Sequence, residues 1–455
     1  RQAAYFGEVG LSYNNYLFLS YTQRFESSSV FSKQHRNYNF PGFSVSAIVS
    51  DIFPKLKGKF INYWKVRSAL ASTGRYFNPY LNQAVFVNNF ASTAVGLIYS
   101  YGFDNNDRNL KPEKQATYEI GTEVRFMNGL FGIDATYYNT HCTNQIMQQF
   151  RASYGTGYVL NTQNAGSLRN QGVEISVDLA PIRRTNLNWT MRFNFDRKWS
   201  KVLTLPKSIG YEIYYSDTWL YGNARVGLIR NNPTTTITGF HYQRNKWGDI
   251  VINPSTGLPL VEGTFTPIGD RNPDFTLGFV NNLKYKSWSL SMLWHLRVGG
   301  DVFNATEMYL TLQGKSQKTS DRETPRVVEG VLNDGLQNTN NPTRNTIVIT
   351  PYYLQSYYTG MPEEEFVQHD VNWLRLRDIT LSYSLPANKI KGMKPFKSLG
   401  IFITGNDLVL LTNYRGADPA VNGNTAAANG TGAYAFDYGS LPSPISVNFG
   451  IRAGF

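Results

Sequence analysis

No apolar run in these 455 residues approaches the ~18 that a membrane-spanning helix requires, which excludes a helical membrane protein. The single cysteine, Cys142, excludes an intramolecular disulfide framework and reads as a small packed hydrophobe. The five histidines, His35, His141, His241, His295 and His369, show neither HxH nor HxxxH spacing. His141 and Cys142 are adjacent, and adjacent residues of a strand point apart instead of converging on a metal. Nucleophile-elbow and phosphate-binding glycine patterns are also missing, so neither an enzyme nor a cofactor is implied. The net charge of +12 is spread singly over strands and turns. No basic run interleaved with aromatics is present, which speaks against a nucleic-acid partner. No signal peptide opens the chain, so the expectation is a mature exported form or a fragment.

What is abundant is aromatic: 30 Tyr, 28 Phe and 8 Trp, at a mean hydropathy of only −0.35. That pairing suits strands whose lipid face alternates with a wet one, where hydropathy averages out and Tyr and Trp form interfacial girdles. The end of the chain, Ile445 to Phe455, shows the pattern most plainly. Ile445, Val447, Phe449, Ile451, Ala453 and Phe455 fall on one face, and Ser446, Asn448, Gly450, Arg452 and Gly454 on the other. Such a strand closes either a soluble sandwich or a transmembrane barrel, and the rest of the chain decides between them.

The alternation recurs at Ala4–Tyr13, Tyr16–Phe25, Pro41–Val49, Asn62–Thr73, Glu113–Phe126, Leu130–Asn139, Val173–Leu179 and Leu187–Asp196. It continues at Phe275–Tyr285, Trp288–Val298, Trp373–Leu385 and Lys397–Asn406, making thirteen predicted strands with the last. Every second connection is a short turn, beginning with Asn14-Asn15. The others, Glu26–Phe40, Gly74–Pro112, Thr140–Gln171, Trp199–Pro273, Gly299–Val371 and Asp407–Pro444, are long and polar. Outer-membrane barrels sort their connections by side in this way, and soluble sandwiches have no reason to. The polar faces carry Glu119, Asp134, Glu174, Arg192, Lys284, His295 and Arg297, more charge than a sandwich core can satisfy. The predicted fold is all-β, a transmembrane antiparallel β-barrel in the outer membrane of a Gram-negative bacterium.

Several motifs carry a family resemblance. Asn109-Leu110-Lys111-Pro112-Glu113 with Tyr118-Glu119-Ile120-Gly121, and Asn164-Ala165-Gly166 with Asn170-Gln171-Gly172-Val173-Glu174, resemble signatures of TonB-dependent transporters. Gly269–Asp274 with Asn281-Asn282, Gly299-Gly300-Asp301, Leu374–Tyr383 and Gly405-Asn406-Asp407-Leu408 resemble the SusC/RagA subfamily. Glu26-Ser27, where the family usually shows Asp-Gly, and Ile445, where a basic residue is common, depart from it. The resemblance implies import of oligosaccharide or peptide nutrients, a surface lipoprotein of the SusD type as lid, and TonB engaged through a segment outside these residues. It further implies that residues 1–455 are the C-terminal portion of a barrel of roughly 22 strands. The plug and N-terminal strands would lie outside this chain. Parity agrees, because the first and last strands run the same way and an antiparallel closure then needs a further strand.

Candidate contact residues cluster in the two longest connections: Tyr211, Tyr214, Tyr215, Trp219 and Tyr221 in one, Tyr352, Tyr353, Tyr357 and Tyr358 in the other. Their rings either stack on substrate, hold the loops together or dock the lid. Glu363-Glu364-Glu365 reads as a solvated loop or a cation-attracting patch more readily than as a hydrolytic carboxylate pair. Phe449, Ile451 and Phe455 are the expected C-terminal assembly signal. The three long connections after Trp199 are the expected lid-docking side. A structural scaffold within a larger outer-membrane assembly is the alternative to transport.

Overall fold

The computed structural model describes residues 1–455 apart from 81, 84–85, 93–95, 102–103, 152–159, 165, 206–211, 215–223, 394 and 422–433. Its main element is one sheet of thirteen strands that pair antiparallel in chain order. The strands are β1 (Gln2–Tyr13), β2 (Leu17–Ser28), β3 (Asn37–Ile48), β4 (Ile61–Arg75), β5 (Glu113–Phe126), β6 (Phe131–Thr143) and β7 (Ser167–Arg184). They continue as β8 (Leu187–Thr204), β9 (Phe275–Tyr285), β10 (Trp288–Val298), β11 (Trp373–Ser384), β12 (Ser398–Thr412) and β13 (Ser446–Gly454). Among the described residues, β1 pairs only with β2 and β13 only with β12.

Register carries the two faces across the whole sheet. Ile451 stands opposite Ile401, which stands opposite Tyr383, and Phe449 opposite Ile403, which stands opposite Leu381. Farther along, Leu283 faces Leu290, Phe193 faces Phe279, and Val177 faces Phe193. This apolar face is the exposed one even on interior strands, where Leu70 is 56%, Ile120 48% and Ile401 53% accessible, as expected of side chains solvated by lipid and not by a core. The opposite face presents Glu119, Asp134, Glu174, Arg192, Lys284 and His295, charges assigned to a wet lumen from sequence. Arg297, assigned there too, is instead 2% exposed and donates to the carbonyls of Arg271 and Gly299 under the long connections.

The turns 14–16, 49–60, 127–130, 185–186, 286–287 and 385–397 lie at one end of the sheet. Asn14 and Asn15 have φ of 47° and 57°, the left-handed pair that matches hairpin twist. Aromatics gather beside these turns: Tyr13 with Tyr16 at 5.6 Å, Phe126 with Phe131 at 5.3 Å, Trp288 with Tyr383 at 4.8 Å and Phe396 with Phe455 at 5.2 Å. They form the girdle that marks the periplasmic interface. Met292, on the apolar face two pleats above this girdle, opposes Asn281 and Ile379. Met292→Arg in the full-length receptor is expected to lower stability by about 2–4 kcal/mol, because it places a cation in hydrocarbon. Ser291→Arg, one residue along and on the lumen face, is expected to cost far less. Urea titration of both variants folded into bilayers compares them, and equal losses would show the faces are misassigned.

At the other end the strands outrun the sequence prediction. β7 and β8 reach Ser167 and Thr204, and β2 and β3 reach Ser28 and Asn37. Beyond the lipid both faces are wet or covered by neighbouring loops, so alternation fades while backbone pairing persists. The connection 29–36 is consequently shorter than the turns 49–60 and 385–397, so the sorting of connections by length has this one exception. Fully buried apolar side chains sit mostly at this end, where the long connections pack on one another and on the strand ends.

Candidate functional site

The described parts of the connections 205–274, 299–372 and 413–445 fold together into one extracellular cap. The short strand Val302–Asn304 pairs antiparallel with Val367–Gln368 and parallel with Phe436–Asp437, which joins two of these connections. Val251–Ile252 pairs parallel with Val331–Leu332 and joins the third. Beneath them Val226, Ile237, Ile268, Phe303, Phe366 and Phe436 form a hydrophobic cluster drawn from all three. Alternation does not announce such residues, because each meets its partner only in three dimensions.

Two of the motifs quoted from the sequence, Gly269–Asp274 and Gly299-Gly300-Asp301, are fasteners of this cap. Gly299 and Gly300 have φ of 76° and 86°, a left-handed corner that β-carbon-bearing residues rarely adopt. The corner aims the Asp301 carboxylate so that it accepts from Asp270 N (2.7 Å) and Asp370 N (3.2 Å) and pairs with His369 Nδ1 (3.2 Å). Arg271 donates to the carbonyls of Thr235 (3.3 Å) and Tyr434 (2.8 Å), and burial pushes its guanidinium down to about 10. Glu363 accepts from Phe240 N and Glu364 from Tyr242 N, each at 2.9 Å, and Glu364 also pairs with Arg244. These carboxylates brace two connections. With Glu363 only 3% exposed, the solvated loop expected from sequence does not hold for it, because its carboxylate is taken up by a backbone N–H of the other connection. A hydrolytic pair would need them converging on open space.

A second fastener lies where the cap meets the wall. Arg375 on β11 is 2% exposed and pairs with Asp418 of the connection 413–445, and at 3.4 Å with Asp407 on β12. Arg377 also reaches Asp407 at 3.4 Å, and both guanidiniums lie 5.7 Å from the Trp373 ring. His295 packs edge-on to the same ring at 4.6 Å. Burial of Tyr414, beside Asp437, raises its phenol well above the usual range, and it donates to that carboxylate at 2.8 Å. Arg375 falls within a motif quoted from the sequence; nothing in the sequence points to Asp418 as its partner.

Nearer the periplasm, the lumen face of β4–β9 is a lattice of exchanged charge. Arg67 grips Asp134 at 2.6 and 3.1 Å, Arg192 grips Asp178 at 2.6 and 3.1 Å, and Arg125 meets Glu123 at 2.6 Å. Such half-exposed pairs contribute about 0–1 kcal/mol each, so they shape the lumen more than they hold it. Among the described residues no group of three or more His, Cys, Asp or Glu side chains is placed to hold a metal.

Of the candidate aromatics, Tyr211, Tyr215, Trp219 and Tyr221 lie outside the described residues. Tyr214 ends the short strand Glu212–Tyr214, which pairs with Gly227–Ile229. Tyr352 and Tyr353 form an edge-on pair at 5.1 Å, 54% and 83% exposed at the surface of the cap. Tyr357 and Tyr358 are half-buried at 4.9 Å, with Arg326 5.7 Å from the Tyr357 ring. The four thus divide between a presented pair and a packed pair. Phe449 and Ile451 lie on the lipid face, and Phe455 reaches the girdle residue Phe396.

Comparison with known proteins agrees with this architecture. A family model described as TonB dependent receptor-like, beta-barrel, matches residues 1–305. TonB-dependent receptor P3 of Formosa agariphila is 25% identical over 486 aligned positions, covering 99% of this chain and 45% of its own length. TonB-dependent receptor SusC of Bacteroides thetaiotaomicron is 24% identical over 438, covering 92% of this chain and 41% of its own. The solved structure of the RagAB peptide transporter superposes with a TM-score of 0.75 at 16% identity, covering 100% of this chain and 48% of that one. The chain therefore spans about half the length of the curated relatives it matches.

Proposed function

Because this chain belongs to the TonB dependent receptor-like, beta-barrel family, we propose that it supplies the C-terminal wall and outer cap of a SusC-type importer of oligosaccharide or peptide nutrients. The observation that carries this is the pairing of a lipid-faced antiparallel sheet with a self-supporting cap on its long-loop side. Residues 1–455 form the C-terminal portion of the barrel, and further strands pair with β1 and β13. An open strand edge in lipid leaves backbone groups unsatisfied at several kcal/mol each, so those edges need partners. A plug closes the lumen at rest, and TonB pulls on it through a segment outside this chain. The cap, with Tyr352 and Tyr353 at its surface, is the fixed side on which a SusD-like lipoprotein docks and moves.

Uptake of the cognate nutrient is expected to fall to background when the TonB gene is deleted, with the receptor still present in the outer membrane. Undiminished uptake would sink the import reading. It would favour the alternative, a scaffold whose cap only holds neighbouring subunits, and the self-supporting cap is compatible with that role.

A further inference from the structure

The lumen face of β7–β11 holds a cleft of about 640 Å³, within the ~300–1,000 Å³ usual for ligand sites. Ser176, Asn194 and Thr276 supply neutral polar lining, and the charged lining is divided by sign. Glu174 on β7 and Asp196 on β8 stand opposite one another in register, and neither is ion-paired among the described residues. The cationic side is Arg377 on β11, with His295 on β10 between. Arg377 is placed there by a β-bulge: the registers of β11 with β10 and with β12 both pass over it. A bulge re-aims the extra side chain, and here it puts Arg377 beside Asp378 on the lumen face, where strict alternation would separate them. Gly278 on β9 lies between the two sides, and a β-carbon there would meet nothing closer than 3.9 Å.

We propose that this cleft is a binding subsite for peptide segments with free ends, whose ammonium group is read by Glu174 and Asp196 and whose carboxylate is read by Arg377. The proposal rests on the import reading and names the substrate class. From β8 to β11 is three inter-strand steps of ~4.8 Å, about 14 Å along the wall. An extended peptide covers ~3.3–3.6 Å per residue, so about four residues bridge the two charges. The planar guanidinium suits a carboxylate in a two-pronged grip, and its hold on Asp407 at 3.4 Å leaves other donors of the fork for ligand. Neutral saccharides fit worse. Sugar rings pack on aromatic faces, and the one aromatic among the lining residues besides His295, Phe195, points by register to the apolar face with Ile175 and Leu277.

The test uses the purified full-length receptor with its co-purifying partner. It is incubated with a tryptic digest of casein, with the same digest N-acetylated and carboxyl-amidated, and with a partial hydrolysate of starch. Bound material is separated by gel filtration and read by mass spectrometry. The uncapped digest is expected to be retained and the other two not. Arg377→Gln should lower retention tenfold or more, Arg377→Lys should keep part of it, and Gly278→Val should block the cleft without altering thermal unfolding. Equal retention of the capped digest, or retention of saccharide instead, overturns the proposal. So does unchanged binding in Arg377→Gln and Gly278→Val accompanied by protease release of the plug, which would make the cleft a seat for the receptor's own chain. Binding without energy input separates this result from the TonB-deletion experiment.

Discussion

Replacing Arg375 with Met in the full-length receptor is expected to lower the stability of the cap by about 3–5 kcal/mol, the usual result of leaving one buried ion unpaired. Asp418 is 3% exposed, and with the guanidinium gone its carboxylate keeps, among the described residues, the N–H groups of Ala420 (2.9 Å) and Ser443 (3.1 Å). The connection 413–445 should then open, and hydrogen exchange at Tyr414–Val421 should rise at neutral pH. Arg375→Met with Asp418→Leu should recover part of the loss, since an apolar pair removes the stranded charge. Protection unchanged in the single variant would refute the fastener. The same pair sets a pH response. Burial opposes ionisation of Asp418, but the Arg375 hydrogen bond and the two N–H groups outweigh it and hold the carboxyl below its ordinary 3.8. A lowered carboxylate contributes stability that is fully present above the ordinary value and is lost as pH falls through the lowered one. The segment should therefore stay closed between roughly pH 5 and pH 8 and loosen only below about pH 4.

Phe303→Ala is expected to cost the cap about 3–5 kcal/mol, as truncation of a fully buried aromatic does when the site cannot collapse. Phe303 is 0% exposed and meets Phe436 edge-on at 5.8 Å. Its backbone is held by pairing to Val367 and Phe436, so the surroundings cannot move in to fill the space. Two connections should become protease-sensitive together, because one cavity undermines both. Tyr353→Ala, at 83% exposure, is expected to stay within ±0.5 kcal/mol. If it weakens a co-purifying lipoprotein without loosening the cap, the presented pair belongs to the docking surface. Independent loosening of the connections in Phe303→Ala would show that the cap is not one body.

The wall was legible because its physics is local. A strand between lipid and water must alternate residue by residue, so Glu113–Phe126, Phe275–Tyr285 and Trp288–Val298 have the same ends in structure as in sequence. Past the lipid that demand lapses, and β7, predicted over Val173–Leu179, runs on both ways from Ser167 to Arg184. Motifs such as Gly299-Gly300-Asp301 could be seen as motifs, but their work as a brace on Asp270 and Asp370 could not.

By itself, then, the sequence determined the number of strands in the wall, the face of each, the side bearing the long connections and the family, since each follows from period, turn chemistry or motif. Only the tertiary structure decided that three of those connections make one cap, that Arg375 finds Asp418 across 43 residues of chain, and that Glu363 and Glu364 brace the backbone of another connection. It alone placed Arg377 on a bulge facing Glu174 and Asp196 over the cleft. Contacts between residues far apart in the chain leave no periodic trace, because neither partner's neighbours need to change for the two to meet.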